Sequence, residues 1–281
     1  MKPIKDAWCI QIELNNYCPH SCAYCTRFTH HLRQDQRYNM KLDELSHILE
    51  VMRGKGYKGK LGIIGGEPTV HPDFEAVCKV VKWDWTSLGL WLALWTSGGP
   101  RYEKYKPEID ECFSWVAYND KADPMCHHQP LTMASCDIVP DAELRAELIS
   151  DCWVQRIWCP SITPKGVFFC EVAAAWDRLL DGPGGWPIES DWQEYGPEDY
   201  KSQMWACQLC GMCVPQEDAK LGHAEKISKT VKAEFEKHNI DTTFIQLSED
   251  YVDREEYAAR LSDEWAPGEY TPGRAKGGAH V

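Results

Sequence analysis

Tyr17-Cys18-Pro19-His20-Ser21-Cys22-Ala23-Tyr24-Cys25-Thr26 is the stretch on which this chain turns. Its three cysteines stand at C-x3-C-x2-C. Thiolate is the ligand that iron–sulfur clusters require, so three thiolates on one short loop suit three corners of a [4Fe–4S] cluster. No fourth cysteine follows nearby, which leaves one iron open to a non-protein ligand. Two other metal patterns fit less well. Zinc sites pair C-x2-C with a second pair some distance away. Bacterial ferredoxins use C-x2-C-x2-C with a fourth cysteine before a proline.

Outward from this loop, strand and helix patterns alternate. In residues 8–14, Trp8, Ile10, Ile12 and Leu14 share one face, the period of a strand that delivers the chain to the cysteines. Leu42, Leu45, Ile48, Leu49 and Met52 fall at helical spacing, and Gly54 and Gly56 end that helix. A buried strand over 60–64 runs into Gly65-Gly66-Glu67-Pro68, where glycine lets backbone come close to a ligand. His71-Pro72-Asp73 opens a helix whose apolar face is Phe74, Val77, Cys78 and Val81. A strand over 89–95 ends in Thr96-Ser97-Gly98-Gly99, and one over 112–118 ends in Asn119-Asp120. A fifth strand is expected over 134–139, a helix from Pro140-Asp141 with Leu144, Leu148 and Ile149 inward, and a sixth strand over 154–158. Such alternation predicts an α/β fold with a parallel sheet built from βαβ units.

The C-x3-C-x2-C loop after a strand, followed about forty residues later by Gly65-Gly66-Glu67-Pro68, resembles the radical S-adenosylmethionine (radical SAM) superfamily. The resemblance implies a partial (β/α)6 barrel. It also implies a [4Fe–4S] cluster on Cys18, Cys22 and Cys25, with SAM chelating the open iron. Tyr24 then lies near the SAM adenine, or else is a loop aromatic packed on the sheet. Glu67, with the backbone of Gly65, Gly66 and Pro68, engages the SAM ammonium. Thr96-Ser97 matches the family's SAM-facing turn in part, since Ser97 stands where Asn is common. Asn119 and Asp120 face the SAM ribose or substrate, or simply begin a turn that Asp123-Pro124 continues.

The last third of the chain changes character. Residues 159–170 read as a β-hairpin with Pro164-Lys165-Gly166 as its turn and a cysteine at each end. Cys207, Cys210 and Cys213 follow. This arrangement resembles the twitch and SPASM extensions of radical SAM enzymes, with a single-cluster twitch the better match. The resemblance implies an auxiliary [4Fe–4S] cluster on Cys159, Cys170, Cys207 and Cys210, with Cys213 able to replace one of them; zinc on the same ligands is the alternative. Cys152 reads as a core thiol. The triplet Cys126, His127 and His128 invites a metal, but adjacent residues on a strand point different ways. His20, His30 and His31 read as solvated loop histidines, with donation to a cluster sulfur as the other possibility. The expected division is a radical SAM core over 1–155, a cluster-binding region over 156–215, and a helix with a weakly ordered tail over 216–281.

Composition narrows the function. With 281 residues, 43% hydrophobic and 26% charged, the chain suits a soluble globular protein with a sizeable core. No apolar run approaches the ~20 residues of a membrane span. The charged start, Met1-Lys2-Pro3-Ile4-Lys5-Asp6, is unlike a secretory signal, so fourteen cysteines are expected as thiols and metal ligands in the cytoplasm. A net charge of −13 disfavours a broad grip on nucleic acid. The resemblance implies an enzyme that reductively cleaves SAM, with electrons from a donor such as flavodoxin or ferredoxin. It then abstracts a hydrogen atom from its substrate, which is oxidised or rearranged. The short segment before residue 8 favours a small molecule such as a sugar, cyclitol or nucleotide over a peptide or nucleobase. A non-catalytic electron carrier is the reading from another class, and Gly65-Gly66-Glu67-Pro68 argues against it because a carrier needs no SAM cradle.

Overall fold

The alternation in residues 8–14 becomes β1 (Ile10–Asn15). α1 (Leu42–Gly54), β2 (Leu61–Gly65), α2 (Phe74–Asp84), β3 (Leu92–Thr96), α3 (Lys106–Cys112) and β4 (Trp115–Tyr118) follow in order. All four strands pair parallel, with neighbours in chain order. The computed structural model describes residues 1–121, 127–157, 160–214, 219–220, 225–243, 245–249 and 253–255.

The two faces of this sheet differ in kind. Ile10, Ile12, Leu14, Leu61, Ile63, Leu92 and Leu94 join Leu45, Ile48, Leu49 and Met52 of α1 and Phe74, Val77 and Val81 of α2 in one core. Burying each such side chain is worth about 1.5–3 kcal/mol, so this layer dominates the stability of the sheet. The opposite face carries Gln11 beside Gly62, Gly62 beside Ala93, and Ala93 beside Trp115. Trp95 lies across Gly62, where a Cβ would stand 2.0 Å from the indole ring. Trp8 gathers Trp91, Trp95 and Trp115 within 6.5 Å between ring centroids, and the Lys60 ammonium sits 4.4 Å from the Trp8 centroid. Several of the thirteen tryptophans therefore form one aromatic cluster.

Beyond β4 the chain departs from a run of βα units. The two-residue β5 (His127–His128) comes first. The strand expected over 134–139 is instead α4 (Ser135–Ile138). Its polar side chains make anchors that suit a helix: Ser135 Oγ donates to Cys207 O at 2.8 Å, and Asp137 Oδ2 accepts Thr230 N–H at 2.7 Å. α5 (Ala142–Ser150) starts where expected, with Asp141 Oδ1 accepting the Glu143 and Leu144 N–H groups. The sixth strand expected over 154–158 is α6 (Val154–Ile157) across its described residues.

The expected hairpin supplies the remaining strands. β6 (Ser161–Thr163) pairs parallel with β1 and antiparallel with β7 (Gly166–Phe168), giving the order β4-β3-β2-β1-β6-β7. The result is a mixed α/β fold around a sheet of five parallel strands and one antiparallel strand, not six successive βα units. α7 (Glu171–Leu179) is buried at every residue, and α8 (Trp205–Leu209) packs on it. β8 (Ala219–Lys220) pairs with β5, and β9 (Lys226–Ile227) precedes α9 (Lys229–Lys237) and pairs parallel with β10 (Gln246–Leu247). The polar helix expected beyond Pro215 thus begins at Lys229. The tail over 256–281 lies outside the described residues.

α9 is tied into the core by its apolar face. Val231 and Phe235 are fully buried, and the Phe235 ring meets Phe28 and Trp176. Phe235→Ala is expected to lower unfolding stability by about 3–5 kcal/mol. Glu236→Ala on the exposed face should stay within about 0.5 kcal/mol. Urea denaturation of both variants measures the difference.

Candidate functional site

The loop leaving β1 carries Cys18, Cys22 and Cys25, with Cys22 buried and the other two half-buried. The His20 N–H points at Cys18 Sγ from 3.5 Å, and Cys25 Sγ lies 3.6 Å from Thr29 Oγ1. Burial pushes the Cys18 thiol up to about 12; the nearby Cys25, Glu67 and Cys22 add to this, and the His20 N–H opposes it. Three thiols on one loop, one of them raised by burial, suit a cluster whose metal charge would stabilise the thiolates.

The Gly65-Gly66-Glu67-Pro68 turn leaves β2 directly against this loop. Gly66 N donates to Asn15 O at 2.9 Å, Glu67 N to Tyr17 O at 2.7 Å, and Asn15 Nδ2 to Glu67 O at 3.1 Å. A Cβ on Gly66 would lie 2.3 Å from Tyr17 O, and one on Gly65 2.4 Å from Asn15 Oδ1. Here the glycines serve a close approach between two stretches of the chain. The Glu67 side chain is fully buried and links a third loop. Its Oε1 accepts Thr69 N at 3.1 Å and the Thr69 and Thr96 hydroxyls at 2.7 Å each. Its Oε2 accepts the Ser97 N–H and hydroxyl, both at 2.7 Å. Asn119 N donates to Thr96 O at 2.8 Å, which attaches the end of β4. The sequence-predicted residues of four strand ends are thereby brought to one edge of the sheet, where open α/β sheets bind ligands.

Tyr24 is buried and adopts φ +53°. Its hydroxyl accepts Lys226 N–H at 2.6 Å and its N–H donates to Glu225 Oε1 at 2.8 Å. His30 and His31 are not solvated loop histidines. Their Nε2 atoms stand 3.4 and 2.9 Å from Glu225 Oε2, and their side chains are only 18% and 8% exposed. Burial alone would raise the Glu225 carboxyl, but hydrogen bonds from His30 and His31 bring it down to about 2.

The face of β1 that carries Gln11 and Glu13 meets α7 through buried charge. Arg27 Nη2 donates to Gln11 Oε1 at 2.8 Å and to Glu171 Oε2 at 2.7 Å. Arg27 Nε lies 3.6 Å from Glu13 Oε2, the Tyr38 hydroxyl donates to Glu13 Oε1 at 2.6 Å, and the Arg178 guanidinium stacks 4.2 Å from the Tyr38 centroid. Burial opposes the charge on Arg27, yet Glu171 and Glu13 hold it firmly protonated. Arg27 Nη1, Arg178 Nη2 and Gln11 Nε2 are buried without a hydrogen-bond partner among the described residues.

The second cysteine group also converges. Cys170, Cys207, Cys210 and Cys213 line one small cavity of about 30 Å³, and Cys152, read from the sequence as a core thiol, lines it with them. Cys159 lies outside the described residues. Burial is the largest cause raising Cys152, to about 12, and Cys207, Cys210 and Cys213 with it; neighbouring thiols add to each shift. No Lys or Arg lines the cavity among the described residues. The donor set again suits a thiolate-ligated metal or cluster. Cys152 follows α5, and its spacing from the other cysteines carried no motif, so only the fold reveals it. Of the triplet Cys126, His127 and His128, Cys126 lies outside the described residues, while His128 Nδ1 is 3.1 Å from Ala23 O.

Residues 12–105 match the family described as the radical SAM superfamily. That span holds all three loop cysteines, Gly65-Gly66-Glu67-Pro68 and Thr96-Ser97. Over 72 residues the chain is 28% identical to the S-adenosylmethionine-dependent nucleotide dehydratase of Selenomonas ruminantium, a match covering 25% of this chain and 24% of that protein. The chain thus spans about a quarter of the length of this curated relative. Among solved structures, BtrN in complex with AdoMet and 2-DOIA aligns at 13% identity and a TM-score of 0.44, covering 73% of this chain and 91% of that one. Streptococcus suis SuiB bound to precursor peptide SuiA aligns at 18% identity and a TM-score of 0.31, covering 39% and 23%. The likeness to the radical SAM superfamily is thus carried by residues 12–105.

Glu67→Gln replaces one acceptor oxygen by a donor facing donors, and it is expected to cost about 1–3 kcal/mol of stability. Ser97→Ala should cost about 1.5–3 kcal/mol, the net worth of a hydrogen bond to a charged group. Gly66→Ala, which forces backbone off backbone, should cost about 1–3 kcal/mol. Denaturant titration of the three variants gives the order directly.

Proposed function

We infer that this chain is an enzyme that binds SAM at a [4Fe–4S] cluster on Cys18, Cys22 and Cys25 and removes a hydrogen atom from a small polar molecule. The observation that carries the reading is the junction of the cysteine loop, the Gly65-Gly66-Glu67-Pro68 turn and the Thr96-Ser97 turn through one buried carboxylate. The match of residues 12–105 to the radical SAM superfamily supports it. When bound and reduced, such a cluster with SAM on its open iron supplies a 5′-deoxyadenosyl radical.

The chain's own residues provide position and enclosure. Cys18, Cys22 and Cys25 would ligate the three closed irons. Glu67 holds the three loops in register, and the backbone of Gly65, Gly66 and Pro68, with Thr96, Ser97 and Asn119, would receive the polar ends of SAM. Tyr24 would contact its adenine.

The substrate reading rests on the face of the sheet shared with Gln11. Arg27 Nη1, Arg178 Nη2 and Gln11 Nε2 offer buried donors without partners among the described residues. An acceptor-rich molecule such as a sugar, cyclitol or nucleotide satisfies them. The nucleotide dehydratase named among the relatives fits the last of these. Cys159, Cys170, Cys207 and Cys210, with Cys213 able to replace one of them, would hold an auxiliary [4Fe–4S] cluster that accepts an electron during substrate oxidation. An external reductant of the flavodoxin or ferredoxin type would start each turnover.

Two assays on anaerobically reconstituted protein test this. Reduction with dithionite in the presence of SAM should release 5′-deoxyadenosine, and the Cys18/Cys22/Cys25→Ala triple variant should release none. Iron should count about eight per chain and fall to about four in the triple variant. About four falling to near none would remove the auxiliary cluster from the reading, while no 5′-deoxyadenosine from the loaded protein would remove the enzyme.

A further inference from the structure

Beside the loop that carries Cys18, Cys22 and Cys25, three metal-ligating side chains meet at one half-buried point. His30 Nε2, His31 Nε2 and an oxygen of Glu225 all lie within 4.8 Å of one another. We propose that His30, His31 and Glu225 form a binding site for a divalent transition-metal ion of the zinc class, which clasps the segment around β9 to the loop that carries Cys18, Cys22 and Cys25.

The spacing suits such an ion. Zinc bonds to nitrogen and oxygen of about 2.0–2.2 Å give a tetrahedron whose edges are about 3.3 Å long. The two observed imidazole-to-carboxylate separations are 2.9 and 3.4 Å. The donor chemistry is selective as well. Two imidazoles and one carboxylate suit zinc and its transition-metal neighbours, whereas calcium and magnesium prefer oxygen alone. Three protein ligands leave a fourth position for water.

The ligands are held for the purpose. Glu225 Oε1 accepts the Tyr24 N–H at 2.8 Å, which turns Oε2 toward the histidines. Hydrogen bonds of this kind orient carboxylates in metal sites. The His31 ring packs 5.4 Å from Phe235 and 6.2 Å from Phe28, so its aim is set by the core. His30 is held less firmly, since its buried Nδ1 has no hydrogen-bond partner among the described residues. His31 and Glu225 are therefore the pair to test. Two adjacent histidines and a glutamate 194 positions beyond the second would be joined by one ion.

The test uses the full chain with its iron–sulfur content reconstituted, stripped of loose metal with a chelator, exposed to zinc and desalted. Wild type should retain about one zinc per chain, with nitrogen and oxygen near 2.0 Å and no sulfur near 2.3 Å by X-ray absorption at the zinc edge. His31→Ala and Glu225→Gln should each weaken zinc retention at least tenfold, with iron and sulfide per chain unchanged as the sign of a folded protein. Equal zinc in wild type and variants, zinc surrounded by sulfur, or no zinc on wild type would each overturn the site. If the variants lose iron and sulfide, chelator competition and the absorption spectrum of wild type decide alone. This inference stands apart from the proposed reaction, because neither readout depends on SAM.

Discussion

One buried carboxylate holds the upper edge of the sheet together. Glu67 has no exposure, and five donors from Thr69, Thr96 and Ser97 close around its two oxygens. A charge withdrawn from water is tolerated only where it is fully hydrogen-bonded, so these five contacts are a condition for the turn to exist. The same residue's backbone N–H and C=O reach Tyr17 and Asn15 on the way into the cysteine loop. Three strand ends become one rigid unit, and the cysteines inherit their position from it. Rigid placement of ligands by supporting hydrogen bonds is what a cofactor site needs.

The other face of β1 shows a second economy of charge. Glu13, Arg27, Glu171 and Arg178 are nearly dry and neutralise one another between the sheet and α7. Removing one member of such a group strands the rest, at a cost of about 3–5 kcal/mol. Arg27 stands two residues beyond Cys25, so this charge group ties the end of the cysteine loop to α7. The C-terminal part of the chain adds to the same loop from outside. Tyr24, His30 and His31 face Glu225, and Phe28 packs near Phe235. The cysteine loop is therefore clasped by chain elements from both ends of the sequence.

Local patterns made the first half of the fold legible. Alternation in residues 8–14, the helical spacing of Leu42 through Met52 and of Phe74 through Val81, and turn residues after each strand brought β1 to β4, α1 and α2 out within a few positions, whereas α3 carried no such signal. The hairpin between residues 159 and 170 was readable from its turn. Short apolar runs misled where tertiary partners decide: residues 134–139 become helical because Ser135 and Asp137 find partners on α8 and before Val231. Contacts between distant segments left no trace in spacing. Cys152 joins the cavity of the later cysteines, and His30 and His31 find Glu225, only once the chain has folded. The role of Gly66 was legible as close approach, but its partner is the backbone of Tyr17.

The most direct test of the central claim is the electron paramagnetic resonance spectrum of the reduced, reconstituted protein before and after SAM is added. An iron left open by Cys18, Cys22 and Cys25 should take SAM as a ligand. The g values of one cluster should then shift, and the shift should vanish in the Cys18/Cys22/Cys25→Ala variant. A reduced-cluster spectrum that SAM leaves unchanged would contradict a SAM-binding cluster on this loop.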